Sequence, residues 1–203
     1  MDDFPRPTRR FEKVLLDITT VGSPERYGRI FLSKYPDPLG FGKSPSRFSD
    51  PRRLARDKRF GVLYLGHTLK VCFLEAVLRD QRNGFVGDYP IEEDELHNRM
   101  FSEIEFTTPL QLVNLRGDGH VRMGIPSDAV HASDQRAGRS WSLALYNHTD
   151  RPDGILYSSR LNEQTNIAIY DRAVHKLRVS RSQKLLHAPG IADMLDDLLI
   201  AVL

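Results

Sequence analysis

The chain has 203 residues, with 29 Lys and Arg against 27 Asp and Glu and a formal net charge of +2. That length supports one well-cored domain with little left for a second, and the near-neutral balance gives no general case for a nucleic-acid or membrane surface. The single cysteine, Cys72, excludes a disulfide within the chain and a cysteine-based zinc site.

No apolar run approaches membrane-spanning length, and the charged start MDDFPRPTRRFEK holds no apolar signal core. A reducing cytoplasm is therefore the default compartment. Residues 1–13 read as a polar arm with Phe11 as its packing residue. Residues 14–18 begin a strand or a helix, and Ser23-Pro24-Glu25 marks a turn. GRIFL at 28–32 alternates as a strand does, with Arg29 on one face and Ile30 and Leu32 on the other. The following KYPDPLGFGKSPSRFSDP, residues 34–51, holds four prolines and two glycines and reads as a long loop. Loops of this length in compact domains are often functional. Its Gly40-Phe41-Gly42 lacks the rest of a dinucleotide fingerprint and reads as a turn. RRLARDKRF at 52–60 carries five basic residues and reads as a solvated, partly helical surface.

Residues 61–82, GVLYLGHTLKVCFLEAVLRDQR, are the most structured stretch. Val62 to Leu65 form an apolar run suited to a strand covered on both faces. Thr68 fits a helix N-cap, and Leu69, Cys72, Phe73, Ala76 and Val77 make one apolar helical stripe. Cys72 falls on that stripe as a small buried hydrophobe. Glu75 lies off the stripe, at the rim of a cleft or in a surface ion pair with Arg79 at i+4.

The acidic stretch 83–98 reads as an irregular surface excursion. Strands are expected over 100–106 and 110–115. Ser133 can cap a helix running to Tyr146, with Ala137, Trp141, Ala144 and Leu145 inward. GILY at 154–157 is a short buried strand ending in Ser158-Ser159-Arg160, and 166–170 and 174–179 are further strands. The apolar period over 189–203 predicts a C-terminal helix. The seven histidines have no metal-ligand spacing, and the nucleophile-elbow pattern Gly-x-Ser-x-Gly is absent. The elements together give a mixed α+β class.

Three segments carry a resemblance beyond fold class. They are Arg47-Phe48-Ser49-Asp50-Pro51, then Tyr64-Leu65-Gly66-His67-Thr68 closing on Glu75, and Asp153-Gly154-Ile155-Leu156-Tyr157-Ser158-Ser159-Arg160. In this order, with Arg29-Ile30-Phe31 and the PDPLGFG loop ahead of them, they resemble the RES domain, a bacterial family named for an arginine, a glutamate and a serine. The resemblance covers about residues 28–173 of what it casts as a single domain, 1–203, with an arm at 1–13 and a helix at about 189–203. It implies an ADP-ribosyltransferase-like sheet core with surrounding helices, and NAD as substrate with no metal. It also implies a toxin that cleaves the nicotinamide–ribose bond by hydrolysis or phosphorolysis, or transfers ADP-ribose to a protein. An inactive interaction protein is the reading from a different class. The implied partner is a helix-turn-helix antitoxin of the Xre type, in a hetero-oligomer or beside self-association, without direct nucleic-acid or membrane contact. The family pattern carries over to Glu75, Arg47, Tyr64 and Ser159 as catalytic residues, and to Arg29, Arg47, Tyr64 and Ser159 as NAD-binding residues. Arg47 is favoured over Arg29 as the named arginine, and Ser159 over Ser158 as the serine. Cys72 departs from the small residue, such as alanine, expected there.

Overall fold

A computed structural model describes residues 4–203; residues 1–3 of the expected arm lie outside the described residues. The strands are β1 (Ile18–Val21), β2 (Arg26–Leu32), β3 (Val62–Gly66), β4 (Tyr89–Ile91), β5 (Arg99–Phe106), β6 (Leu110–Asn114), β7 (Gly154–Ser158), β8 (Thr165–Tyr170), β9 (Leu177–Lys184) and β10 (Ile200–Val202). The helices are α1 (Leu69–Phe73), α2 (Glu93–His97), α3 (Gly119–Arg122), α4 (Ser127–His131), α5 (Arg136–Tyr146) and α6 (Ile191–Asp197). The class is α+β, as the sequence predicts.

Eight strands form one sheet in the order β1-β6-β7-β8-β3-β2-β5-β9, and β4 and β10 make a small second sheet. All pairs in the large sheet are antiparallel except β6 with β7. A parallel pair needs a crossover, and here that crossover carries α3, α4 and α5. One core cluster lies under α4 and α5, where Phe48, Val62, Tyr157, Ala168 and Tyr170 meet Ala137, Trp141 and Leu145. The opposite face of the sheet holds Leu63, Leu65, Ile104, Leu112, Leu156 and Ile167 in a second cluster. A third joins α1 and α6 to Ile30 and Phe101.

The sheet is nearly cut in two. Strand β2 meets β3 through the single register pair Gly28↔Gly66, whereas β3 and β8 pair over five positions. Neither junction residue has room for a Cβ, because Phe101 and Cys72 lie against Gly28, and Val71 and Cys72 against Gly66. A Cβ on Gly28 would fall 2.6 Å from the Phe101 ring and 3.2 Å from Cys72 Sγ, and one on Gly66 would fall 2.8 Å from the same sulfur. The Cys72 thiol itself donates to Gly66 O at 3.7 Å.

Three expectations are corrected. The acidic stretch 83–98 is not wholly irregular: it contains β4 and α2, with Leu96 fully buried. Glu93, Asp94 and Glu95 fill the first turn of α2, where carboxylates suit the helix dipole. Helix α5 starts after Gln135, not at Ser133, because Asp134 Oδ1 accepts the Arg136 N–H at 2.9 Å. The C-terminal helix stops at Asp197. Leu199 takes φ 51°, and the chain turns into β10, which pairs in parallel with β4. The arm does pack: Phe11 is buried with its ring centroid 5.0 Å from that of Trp141, whose indole N–H donates to Pro5 O at 2.9 Å. No helix among the described residues is long and apolar enough to cross a membrane.

Candidate functional site

Past their glycine junction, β2 and β3 diverge and leave a cavity of about 540 Å³ between the helical layers. Residues paired across neighbouring strands project on the same face. Tyr157, Asn166, Gly66 and Gly28 are such a row over four strands, by the pairs Tyr157↔Asn166, Asn166↔Gly66 and Gly66↔Gly28. The two glycines contribute no side chains, so that end of the cavity floor is bare. Tyr64, two residues before Gly66, stands on the same face. All five residues line the cavity.

Glu75 arrives from the helix side. Thr68 caps α1 as predicted, its hydroxyl oxygen accepting the Val71 N–H at 3.2 Å. Helix α1 then widens into a π turn over Leu74–Leu78, closed by Arg79 N donating to Leu74 O at 2.7 Å. Arg79 ends that turn at φ 46°, ψ −126°, a conformation costly for a residue with a side chain. Single π turns recur at functional sites because they re-aim the side chains they carry. Of the two positions the sequence left open, Glu75 takes the cleft and not the ion pair, since Arg79 Nε donates instead to the backbone oxygen of Glu75 at 3.0 Å.

The carboxylate of Glu75 is held from the sheet side. Ser159 Oγ donates to Glu75 Oε1 at 2.7 Å and Asn166 Nδ2 donates to the same oxygen at 3.1 Å. Both donors are buried, at 1% and 3% exposure. Ser159 Oγ also accepts the Leu161 N–H at 3.1 Å, so its hydroxyl is engaged within the protein on both counts. These bonds fix one carboxylate oxygen and leave the other for a ligand.

Arg47 lies on the loop that closes the cavity, with Nη1 donating to Ala132 O at 2.7 Å. Burial lowers its pKa, opposed by Tyr157 and Glu75, which favour its charge. Tyr64 pins the same loop: its hydroxyl accepts the Phe48 N–H at 2.8 Å and shares a hydrogen bond with Ser46 Oγ at 3.0 Å. Burial pushes the Tyr64 phenol up to about 12. Asp50 ties down the far end, accepting from Arg52 Nε at 2.9 Å and from Phe60 N at 3.0 Å.

Arg29 reaches the cavity wall but is committed to the PDPLG loop, donating to Pro38 O at 2.6 Å and Gly40 O at 2.7 Å. Burial lowers its pKa to about 10, partly offset by Asp37. At the rim, Arg160 pairs with Asp80. Glu75, Arg47 and Tyr64 thus line one cavity, with Ser159 buried behind Glu75 and Arg29 beneath the loop. Sequence reasoning did not single out Asn166, Tyr157 or Arg160. The available signal for Asn166 was a polar residue opening an apolar strand, on the face of Ala168 and Tyr170. Among the described residues, no group of three or more His, Cys, Asp or Glu could hold a metal ion.

This arrangement suits an anionic ligand held by arginine at the wall, beside a single oriented carboxylate. Over 121 residues the chain is 43% identical to probable toxin y4kH of Sinorhizobium fredii (strain NBRC 101917 / NGR234), which spans 59% of this chain and 95% of that protein. The fold is similar to a chain in the crystal structure of the M. tuberculosis MbcT–MbcA toxin–antitoxin complex. That match has a TM-score of 0.62 and 16% identity, and covers 89% of this chain and 91% of the other. The RES domain family matches residues 26–188, a span that contains every strand of the large sheet except β1 and every residue of the Glu75 cavity described above, and the chain belongs to that family.

Proposed function

We propose that this protein is the toxin of a toxin–antitoxin pair and that it depletes NAD by breaking the nicotinamide–ribose bond. Family membership and the similarity to a probable toxin support the first part. The observation that carries the second is the carboxylate of Glu75, fixed through one oxygen by Ser159 and Asn166 inside an arginine-walled cavity.

The chemistry requires little more. As the C1′–N bond breaks, its electron pair goes to the nicotinamide nitrogen and cancels that ring's positive charge. The leaving group therefore needs no strong general acid, and the ribose carbon becomes oxocarbenium-like. Glu75 stabilises that charge and accepts a hydrogen bond from a ribose hydroxyl, both of which strengthen in the transition state. A glycosidase whose leaving oxygen would depart as an alkoxide needs a second carboxylic acid to protonate it; here the other acid on the cavity wall, Asp80, is tied to Arg160. Arg47 holds the pyrophosphate, and Tyr64 keeps the loop that carries Arg47 in place. Water adding at C1′ gives ADP-ribose and a proton; phosphate or a protein side chain are the other acceptors. Neutralisation by an antitoxin of the Xre type follows the family resemblance.

Expression of the chain without an antitoxin tests this reading. Growth should stop, cellular NAD should fall, and Glu75→Gln should relieve both. Growth arrest with NAD unchanged would replace it with ADP-ribosyl transfer to a protein.

A further inference from the structure

The cavity holds two tyrosines whose hydroxyls are in opposite states. Tyr64 spends its hydroxyl on the protein, through Phe48 N and Ser46 Oγ. The hydroxyl of Tyr157 has no hydrogen-bond partner among the described residues, although Tyr157 is only 6% exposed. Its position is firmly set. The residue sits in strand β7 opposite Asn166, and its ring packs edge-on against Phe48 with centroids 5.0 Å apart. It lines the cavity beside Glu75, Tyr64 and Arg47.

The ring of Tyr157 is buried while its hydroxyl, bonded to no protein group, is left to whatever fills the cavity. Phenylalanine would fill the same space and make the same ring contact. The simplest use of the oxygen is a partner that enters with the ligand. We propose that Tyr157 is a ligand-binding residue whose hydroxyl donates to a ribose hydroxyl oxygen, while the free oxygen of Glu75 accepts that hydroxyl's hydrogen. One sugar hydroxyl is then recognised as both donor and acceptor. Burial first, and the neighbouring Glu75 next, hold the Tyr157 phenol well above the ordinary 10, so it remains a donor at working pH. The assignment rests on the NAD reading above.

Titration calorimetry with ADP-ribose, paired with thermal unfolding, tests it on three proteins: wild type, Tyr157→Phe and Tyr64→Phe. Tyr157→Phe should weaken ADP-ribose binding about tenfold or more while the unfolding midpoint stays level or rises, because the fold loses no hydrogen bond. Tyr64→Phe should lower the midpoint, since two bonds to the loop are lost. Unchanged binding by Tyr157→Phe would overturn the assignment and leave the NAD reading standing, and so would a fall in its midpoint matching that of Tyr64→Phe. A wild-type protein that fails to bind ADP-ribose would overturn the NAD reading itself, and this assignment with it.

Discussion

Ser159 and Glu75 are 84 residues apart in sequence, and the serine hydroxyl donates to the glutamate carboxylate at 2.7 Å. Asn166 donates to the same oxygen at 3.1 Å. On this geometry the serine orients the carboxylate; it does not meet the ligand itself. Ser159→Ala and Asn166→Ala should each lower kcat for nicotinamide release on the order of 10- to 100-fold with little change in KM, the range expected for a lost hydrogen bond to a charged group. The double variant should fall short of the product of the two, because both donors act through one atom. Asn166→Asp should be worse than Asn166→Ala, since it sets a second carboxylate against Glu75. A steady-state series on the four variants checks this, and a mild Asn166→Asp would show that only the shape of the side chain matters.

The glycine pair at the sheet junction gives a stability prediction. Gly28→Ala places a methyl group 2.6 Å from the Phe101 ring and 3.2 Å from Cys72 Sγ. Overpacking of this kind costs about 1–3 kcal/mol. Thermal unfolding should show a clear drop, and Cys72→Ala in the same chain should restore part of it. An unchanged midpoint would mean that β2 and β3 can move apart freely.

Cys72 should be chemically silent in the native protein. It is buried, and burial raises its thiol to about 12, with the neighbouring Gly66 and Cys72 backbone pulling the other way. Thiolate is the reactive form. A disulfide reagent at pH 8 should therefore label it at the rate of global unfolding and react promptly in denaturant. Fast labelling of native protein would mean that the sheet junction opens locally.

His131 makes stability depend on pH. His131 keeps an exposed side chain, yet partial desolvation, His120 and Arg47 all lower its pKa below the ordinary 6.5, so its share of the effect is small. Its charged form is disfavoured in the folded chain, so between 6.5 and the lower folded value the unfolded state binds more protons. Stability is complete above pH 6.5 and is lost as pH falls through that window. Denaturant midpoints from pH 8 to 5 should decline, and the decline should be shallower for His131→Gln. Equal slopes would remove His131 as the cause.

The parts legible in the sequence are those set by local chemistry. The strand before Gly66, the Thr68 cap and the helical stripe through Cys72 follow from neighbours a few residues apart, and the structure has them. Glu75, Arg47, Tyr64 and Ser159 were named from the order of motifs; the first three line one cavity, and Ser159 stands behind Glu75. What was not legible depends on distant partners. The π turn that aims Glu75 leaves no periodic mark, because one i→i+5 bond changes the spacing only once. The contribution of Asn166 arises from cross-strand register with Gly66 and Tyr157. Helices α3 and α4 are too short to show a stripe. The last residues keep an apolar period yet leave the helix, because pairing with β4 satisfies their backbone.

The most direct test incubates purified protein with NAD, with and without phosphate, and follows nicotinamide release beside a Glu75→Gln control. The account predicts release by the wild type, in both buffers for a glycohydrolase or only with phosphate for a phosphorylase. It predicts none from Glu75→Gln, which should fold as the wild type does. Release that survives Glu75→Gln, or a wild type that releases none in either buffer, would contradict it.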